Sequence, residues 1–116
     1  MKRKKSTVAE LAQLTGKKRR ENLIRGAKQE GKITFYTSTA PEDIQSLLLA
    51  FGMHYPFIQP EMVRDKGTVL RERIIQEYRD GGSPADVIEL SDINLGKLKQ
   101  RELIRSYLSP EAKPYP

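Results

Sequence analysis

Hydrophobic positions change period several times along the chain, and each change marks an element. Lys32-Ile33-Thr34-Phe35-Tyr36-Thr37 is β-branched and aromatic and predicts a strand. Ile44, Leu47, Leu48 and Phe51 follow at i, i+3, i+4 and i+7, an amphipathic helix that ends near Gly52 to Pro56. Thr39-Ala40-Pro41-Glu42 before it reads as a capping box, with Pro41 in the first turn where its missing N–H is harmless. Ile58 to Arg64 is a second strand; Pro60 cannot donate to a ladder, so this strand belongs at a sheet edge. Asp65-Lys66-Gly67-Thr68 turns into a helix whose face is Leu70, Ile74, Ile75 and Tyr78, closed by Gly81-Gly82-Ser83-Pro84. Ala85 to Leu90 is a third strand, and Ser91-Asp92 caps a short helix carrying Ile93, Leu95 and Leu98. Leu103 to Leu108 predicts a last strand before a proline-rich tail. Strands that alternate with helices imply an α/β fold: a three-layer, open, mainly parallel sheet with flanking helices.

The first thirty residues are helical in a different way. Thr7-Val8-Ala9-Glu10 is another capping box, and Gly16 is the expected stop of the helix it opens. Lys17 to Glu30 places Leu23, Ile24 and Ala27 on one face, and Gly31 ends it.

Charge divides the chain along the same line. Lysine and arginine number 21 against 15 acidic residues, a net of +6. Residues 1–32 hold 11 basic and 3 acidic residues, so the remainder carries a net of −2 and the basic character belongs to the N-terminal part. The expected organisation is a basic, partly helical arm over 1–20 and an α/β body over 21–116. Such an arm can neutralise phosphates of a nucleic acid or an anionic lipid, or be a solvated leader. Met1-Lys2-Arg3-Lys4-Lys5 has the charge of a signal-peptide n-region, but Ser6 to Gln13 lacks the apolar stretch of ~7–15 residues that must follow. No apolar run approaches the ~20 residues of a membrane-spanning helix.

Composition narrows the chemistry. The absence of cysteine excludes disulfides, thiolate-bound zinc and thiol catalysis, and a single histidine, His54, excludes a multi-histidine metal site within the chain. His54 lies beside Tyr55-Pro56 at a helix end, the position of a surface residue and not of a general base. Glu42 and Asp43 are adjacent and so point apart on a helix, where they suit the positive end of its dipole. Neither a phosphate loop of the GxxxxGK[ST] type nor a GxSxG elbow is present. Phe35, Tyr36, Phe51, Phe57 and Tyr78 fall on packing positions and are not interleaved with basic residues as a base-stacking platform requires. Nothing places an acid–base or nucleophile pair, so the chain is expected not to be an enzyme.

The polar residues that remain unexplained sit after the strands. Open parallel sheets collect ligands at the carboxyl ends of their strands, against the N-termini of the next helices. Thr37, Ser38 and Thr39 follow the first strand, Gly67 and Thr68 the second, and Ser91 and Asp92 the third. These residue types are also ordinary helix caps, so the pattern has two readings, a ligand rim and a set of N-caps.

The segment Leu23-Ile24-Arg25-Gly26-Ala27-Lys28-Gln29-Glu30-Gly31-Lys32-Ile33-Thr34-Phe35-Tyr36-Thr37-Ser38 resembles the opening of mature extracellular solute-binding proteins of bacterial ABC importers, in the branch that includes ferric-iron-binding proteins. The likeness continues through Ala50-Phe51, Tyr55-Pro56, Gly67-Thr68-Val69-Leu70 with Arg73, Pro84-Ala85-Asp86-Val87, Leu103 and Leu108-Ser109-Pro110, over about residues 8–116. The resemblance implies a type II periplasmic-binding fold with a solute held between two lobes, of which this chain supplies the start of the first. It implies that the turns at Thr37–Thr39, Gly67-Thr68 and Ser91-Asp92 line the cleft. Iron-binding relatives place a histidine where this chain has Ala40 and a carboxylate near Ser91-Asp92, and their iron-binding tyrosines lie in the second lobe, so no metal and no cofactor is expected here. The implied partners are a small-molecule or ion solute and an importer permease, with a homodimer through an exposed sheet edge possible and nucleic acid disfavoured. The implied compartment is periplasmic or extracellular; without an export signal, the chain as written suits the cytoplasm. The function expected is that of a solute-binding component, or a truncated or split part of one. The alternative is a small nucleic-acid-binding protein that uses the basic arm.

Overall fold

The computed structural model describes residues 7–115, so the basic run Met1 to Lys5 lies outside the described residues. The elements are α1 (Val8–Gln13), α2 (Gly16–Glu30), β1 (Lys32–Thr37), α3 (Pro41–His54), β2 (Gln59–Arg64), α4 (Gly67–Arg79), β3 (Val87–Glu89) and α5 (Asp92–Gln100), followed by a 3₁₀ turn at Pro110–Ala112. They form two compact units. One takes in the residues up to Gly31 and those from Ser106 on; the other is Lys32–Arg105. Among the described residues no helix is long and apolar enough to cross a membrane.

In the first unit, Thr7 caps α1 as anticipated: its Oγ1 accepts from the Glu10 backbone N–H at 3.1 Å and its hydroxyl donates to the Glu10 carboxylate. Gly16 does not stop this helix. The helix ends at Leu14, whose backbone turns extended, and Gly16 instead opens α2 in a left-handed conformation (φ +58°) that glycine adopts without steric cost. Gly31 does end α2, at φ +76°, with its N–H on the Ala27 carbonyl at 2.8 Å. The helix runs unbroken across residues 20 and 21. Within it Arg19 is only 8 % exposed and donates from Nη1 to Glu111 Oε1 at 2.7 Å.

The second unit is the α/β body. Its three strands are all parallel in the order β2-β1-β3, so β2, with Pro60 opposite Ile33, lies at an edge as its proline requires. The right-handed rule for β-α-β crossovers sends α3 and α4 to opposite faces, because one connection runs outward to β2 and the other returns across β1 to β3. The main core fills the α4 face. Tyr36, Leu70, Ile74, Ile75, Leu90 and Leu98 form one buried cluster, bordered by Val63, Ile88, Leu95, Leu103 and Ile104. On α3 only Ile44 is fully enclosed, while Leu47, Leu49 and Met53 remain exposed. Phe51 and Phe57 pack on either side of Tyr55, with ring centroids 5.0 and 6.2 Å away, where the chain leaves α3. His54, exposed in the last turn, has its Nδ1 2.9 Å from the Ala50 carbonyl.

Three expectations are corrected. The third strand is shorter than Ala85 to Leu90, because the Thr34 N–H donates to the Asp86 side chain at 2.8 Å and ladder pairing begins only at Val87. Leu103 to Leu108 is not a strand: the backbone N–H groups of Glu102 and Leu103 close the end of α5 on the Lys99 and Leu98 carbonyls, and Leu103 and Ile104 are drawn onto the core. Tyr78 and Ile93 are not core residues, being 42 % and 74 % exposed. The last turn of α4 gives its inward position to Glu77 instead.

Glu77 is needed there because Tyr36 is completely buried and its hydroxyl must find an acceptor. It donates to Glu77 Oε2 at 2.7 Å. Ser83 Oγ donates to the other carboxylate oxygen at 3.0 Å, and Arg73 donates to Glu77 at 3.3 Å while its guanidinium lies 5.2 Å over the tyrosine ring. Burial, and then the bond to Glu77, push the Tyr36 phenol above its ordinary value, so it remains a donor throughout the neutral range. Tyr36→Phe should therefore lower stability by about 1.5–3 kcal/mol, the worth of a hydrogen bond to a charged group, without changing the fold; urea unfolding followed by circular dichroism measures it. An unchanged midpoint would mean that this bond contributes nothing net.

Candidate functional site

Because the strands are parallel, they end together. Thr37 is in register with Arg64 of β2 on one side and Glu89 of β3 on the other, so the three carboxyl ends make a single rim. The connection from β1 runs outward to β2 and the one from β2 returns past β1 to β3, a reversal of strand order of the kind that opens a crevice in parallel sheets. The structure places all seven predicted residues on this rim: Thr37, Ser38 and Thr39 at the end of β1, Gly67 and Thr68 at the start of α4, and Ser91 and Asp92 at the start of α5.

Two groups form among them. In the first, Thr37 Oγ1 donates to Glu89 Oε1 at 2.6 Å and Thr39 Oγ1 donates to the same oxygen. The Thr39 N–H in turn donates to Thr37 Oγ1 at 3.0 Å, and Arg64 Nε donates to the Thr39 carbonyl at 2.6 Å. Ser38 joins through its backbone N–H, 3.3 Å from the Glu89 carbonyl oxygen. The Thr37 bond first, and then the Thr39 bond, hold the Glu89 carboxyl below its ordinary value, against a smaller opposing push from burial. Glu89 is thus an anion at the mouth of the sheet at neutral pH.

In the second group Asn94, 8 % exposed, joins α4 to the start of α5. Its Nδ2 donates to Ser91 Oγ at 3.0 Å and its Oδ1 accepts from Arg71 Nη1 at 2.8 Å. Gly67 is required beside it, since a Cβ at that position would stand 2.6 Å from Asn94 Nδ2. Thr68 and Asp92 are not drawn into either group and stand exposed in the first turns of their helices.

The capping expectation fails on this rim. The N-caps of α3, α4 and α5 are Ala40, Lys66 and Ser91, and none makes a side-chain cap bond. Thr39, expected to cap α3, has given its hydroxyl to Glu89, and Ser91 has given its oxygen to Asn94. Three helices therefore begin at the rim with their first N–H groups left uncapped by side chains, and partial positive charge gathers there. Among the described residues no three His, Asp or Glu side chains converge to hold a metal.

Four members of the two groups escape a reading confined to turns. Arg64 and Glu89 are the last residues of their strands, one and two positions short of where the polar turns begin, and charged residues ending two parallel strands are the signal that marks them. Asn94 sits three residues after Ser91 and Arg71 four after Gly67, spacings that put each on the same helix face as that rim residue, while the bond between Asn94 and Arg71 exists only in the fold. No protein-family model matches the chain, and neither does any curated protein.

Two outcomes test this geometry. Glu89 has a folded-state pKa below its unfolded one, so its contribution to stability is present above the unfolded value and is lost as pH falls through the folded value. Glu89→Gln should consequently lower the melting temperature at neutral pH and converge with the unmodified chain in acid; a constant difference at every pH would contradict the assigned shift. Gly67→Ala should destabilise the chain by about 1–2 kcal/mol through the displaced Asn94 amide, despite alanine's better helix propensity. In an Asn94→Ala background the same change should become neutral or stabilising, and a double-mutant cycle in urea reads the coupling.

Proposed function

We propose that Lys32–Arg105 is the beginning of a ligand-binding lobe in a solute-binding component of an ABC-type importer, and that it contacts a small solute or ion along the strand carboxyl ends. The observation that carries the reading is the rim itself: three parallel strands ending together in the order β2-β1-β3, followed by three helices without side-chain caps. Hydroxyls, backbone N–H groups and single charges recognise a small polar molecule by hydrogen bonding, and none of them needs a reaction to be useful. The sequence resemblance to the first lobe of such proteins supports the same assignment, and the working compartment would then be outside the cytoplasmic membrane. A single open rim surrounds only part of a solute, so affinity for this chain alone belongs on the order of millimolar, with tight binding reserved for closure of two lobes.

The alternative, binding of nucleic acid by the N-terminal basic segment, draws on Lys17, Lys18 and Arg20, which are exposed on α2. It loses Arg19, which is buried against Glu111 and withdrawn from phosphate contact.

Amide ¹H–¹⁵N spectra of the full chain, titrated with inorganic phosphate, ferric citrate, spermidine and 4-aminobutanoate, test the proposal. At least one should move the signals of Thr37–Thr39, Gly67-Thr68 and Ser91-Asp92 at millimolar concentration. A rim unmoved by every solute, with shifts at Lys17–Arg20 and salt-sensitive anisotropy on adding an oligonucleotide, would transfer the assignment to the basic segment.

A further inference from the structure

The rim carries two opposite charges that do not neutralise each other. Arg64 and Glu89 end the two strands that flank β1, and both are in register with Thr37, so one row across the sheet reads Arg64, Thr37, Glu89 on a single face. Two strand spacings set the backbones of Arg64 and Glu89 about 9.6 Å apart. Both charges are held by the same residue. Arg64 Nε donates to the Thr39 carbonyl at 2.6 Å, while Glu89 accepts from the Thr39 hydroxyl. Among the described residues neither side chain forms an ion pair, with the other or with any third group. Thr39 acts as a spacer: it satisfies one edge of each charged group and keeps the two from meeting.

What each group retains sets the chemistry of an occupant. With Nε committed, Arg64 keeps its two Nη groups, the pair that recognises a carboxylate or phosphate in fork geometry. With Oε1 taken by two threonine hydroxyls, Glu89 keeps Oε2, an ionised acceptor suited to an ammonium. Adjacent Asp65 and Lys66 are opposite in sign and add no net charge. A lone anion on Arg64 would meet repulsion from Glu89, and a lone cation on Glu89 would meet it from Arg64; only a molecule bearing both charges satisfies the row.

We infer that the rim takes a dipolar solute, one with an oxyanion and an ammonium group on a short skeleton, the oxyanion on the Arg64 Nη groups and the ammonium on Glu89 Oε2. The inference rests on the solute-binding function proposed above and names the class of solute.

The experiment compares 4-aminobutanoate with its two singly charged halves, butanoate and butylamine, on the full chain by amide shift titration at low salt. The dipolar compound should bind at least about tenfold more tightly than either half, as one added charge-assisted contact provides. Arg64→Gln, which can still donate to the Thr39 carbonyl, should reduce 4-aminobutanoate to the affinity of butylamine. Glu89→Gln, whose amide oxygen can still accept from both threonines, should reduce it to that of butanoate. Unliganded spectra of both variants that keep the folded dispersion, with changes confined to the neighbours of the substituted residue, exclude a folding defect as the cause. Rim shifts from butanoate, phosphate or spermidine with no preference for the dipolar compound would overturn this inference and leave the solute-binding function standing. An absence of rim shifts from every compound would overturn both.

Discussion

A fully buried tyrosine in the middle strand governs much of the body. Tyr36 cannot leave its hydroxyl unsatisfied in a water-free core, and the carboxylate that takes it comes from the last turns of α4. That bond ties the far end of α4 to the centre of the sheet, with Arg73 over the ring and Ser83 on the second carboxylate oxygen completing the set. Leu70, Ile74 and Ile75 then have one seat, against Tyr36 and Leu98. With α4 held along its length, its first residue, Gly67, is brought against Asn94 of α5. The hydrophobic cluster supplies most of the free energy, but the polar anchor determines which rotation of α4 uses it.

The rim follows from this core at one remove. Parallel strands whose register is set by packing end in a row, and polar residues just beyond them must choose between capping the next helix and bonding across the sheet. Here they bond across. Thr39 serves Glu89 and not α3, and Ser91 serves Asn94 and not α5. An ionised acceptor such as Glu89, or a buried amide such as Asn94, competes well against the N–H groups of a helix start, which water can satisfy. The result is a rim with the Thr37, Thr39 and Ser91 hydroxyls engaged, its helix starts uncapped and two charges kept apart.

Much of this was legible in the pattern of residues. The three strands and the helices between them follow from local periodicity, and the edge position of β2 follows from Pro60 alone, because a missing N–H is a property of the residue wherever it lies. The errors have a common origin. Leu103 to Leu108 has the composition of a strand, yet a helix terminus claimed its first N–H and the core claimed its side chains. Ala85-Asp86 looked continuous with Val87, yet the Asp86 carboxylate took the place of a backbone carbonyl. A helix terminus and core burial in the first case, and a tertiary hydrogen bond in the second, overrode a local strand preference that spans only about 1 kcal/mol.

The candidate site divides along the same boundary. Sequence by itself determined the α/β class, the parallel order of events from strand to turn to helix, and the presence of Thr37–Thr39, Gly67-Thr68 and Ser91-Asp92 where strands end, since all of these depend on near neighbours in the chain. Only the tertiary structure decided that Glu89 takes both threonine hydroxyls, that Asn94 bridges to Arg71 and faces Gly67, and that Arg64 and Glu89 stand in one row without pairing. Those contacts join residues 23 to 52 positions apart, and no local rule encodes a distance that only the packing of α4 and the register of three strands bring into being.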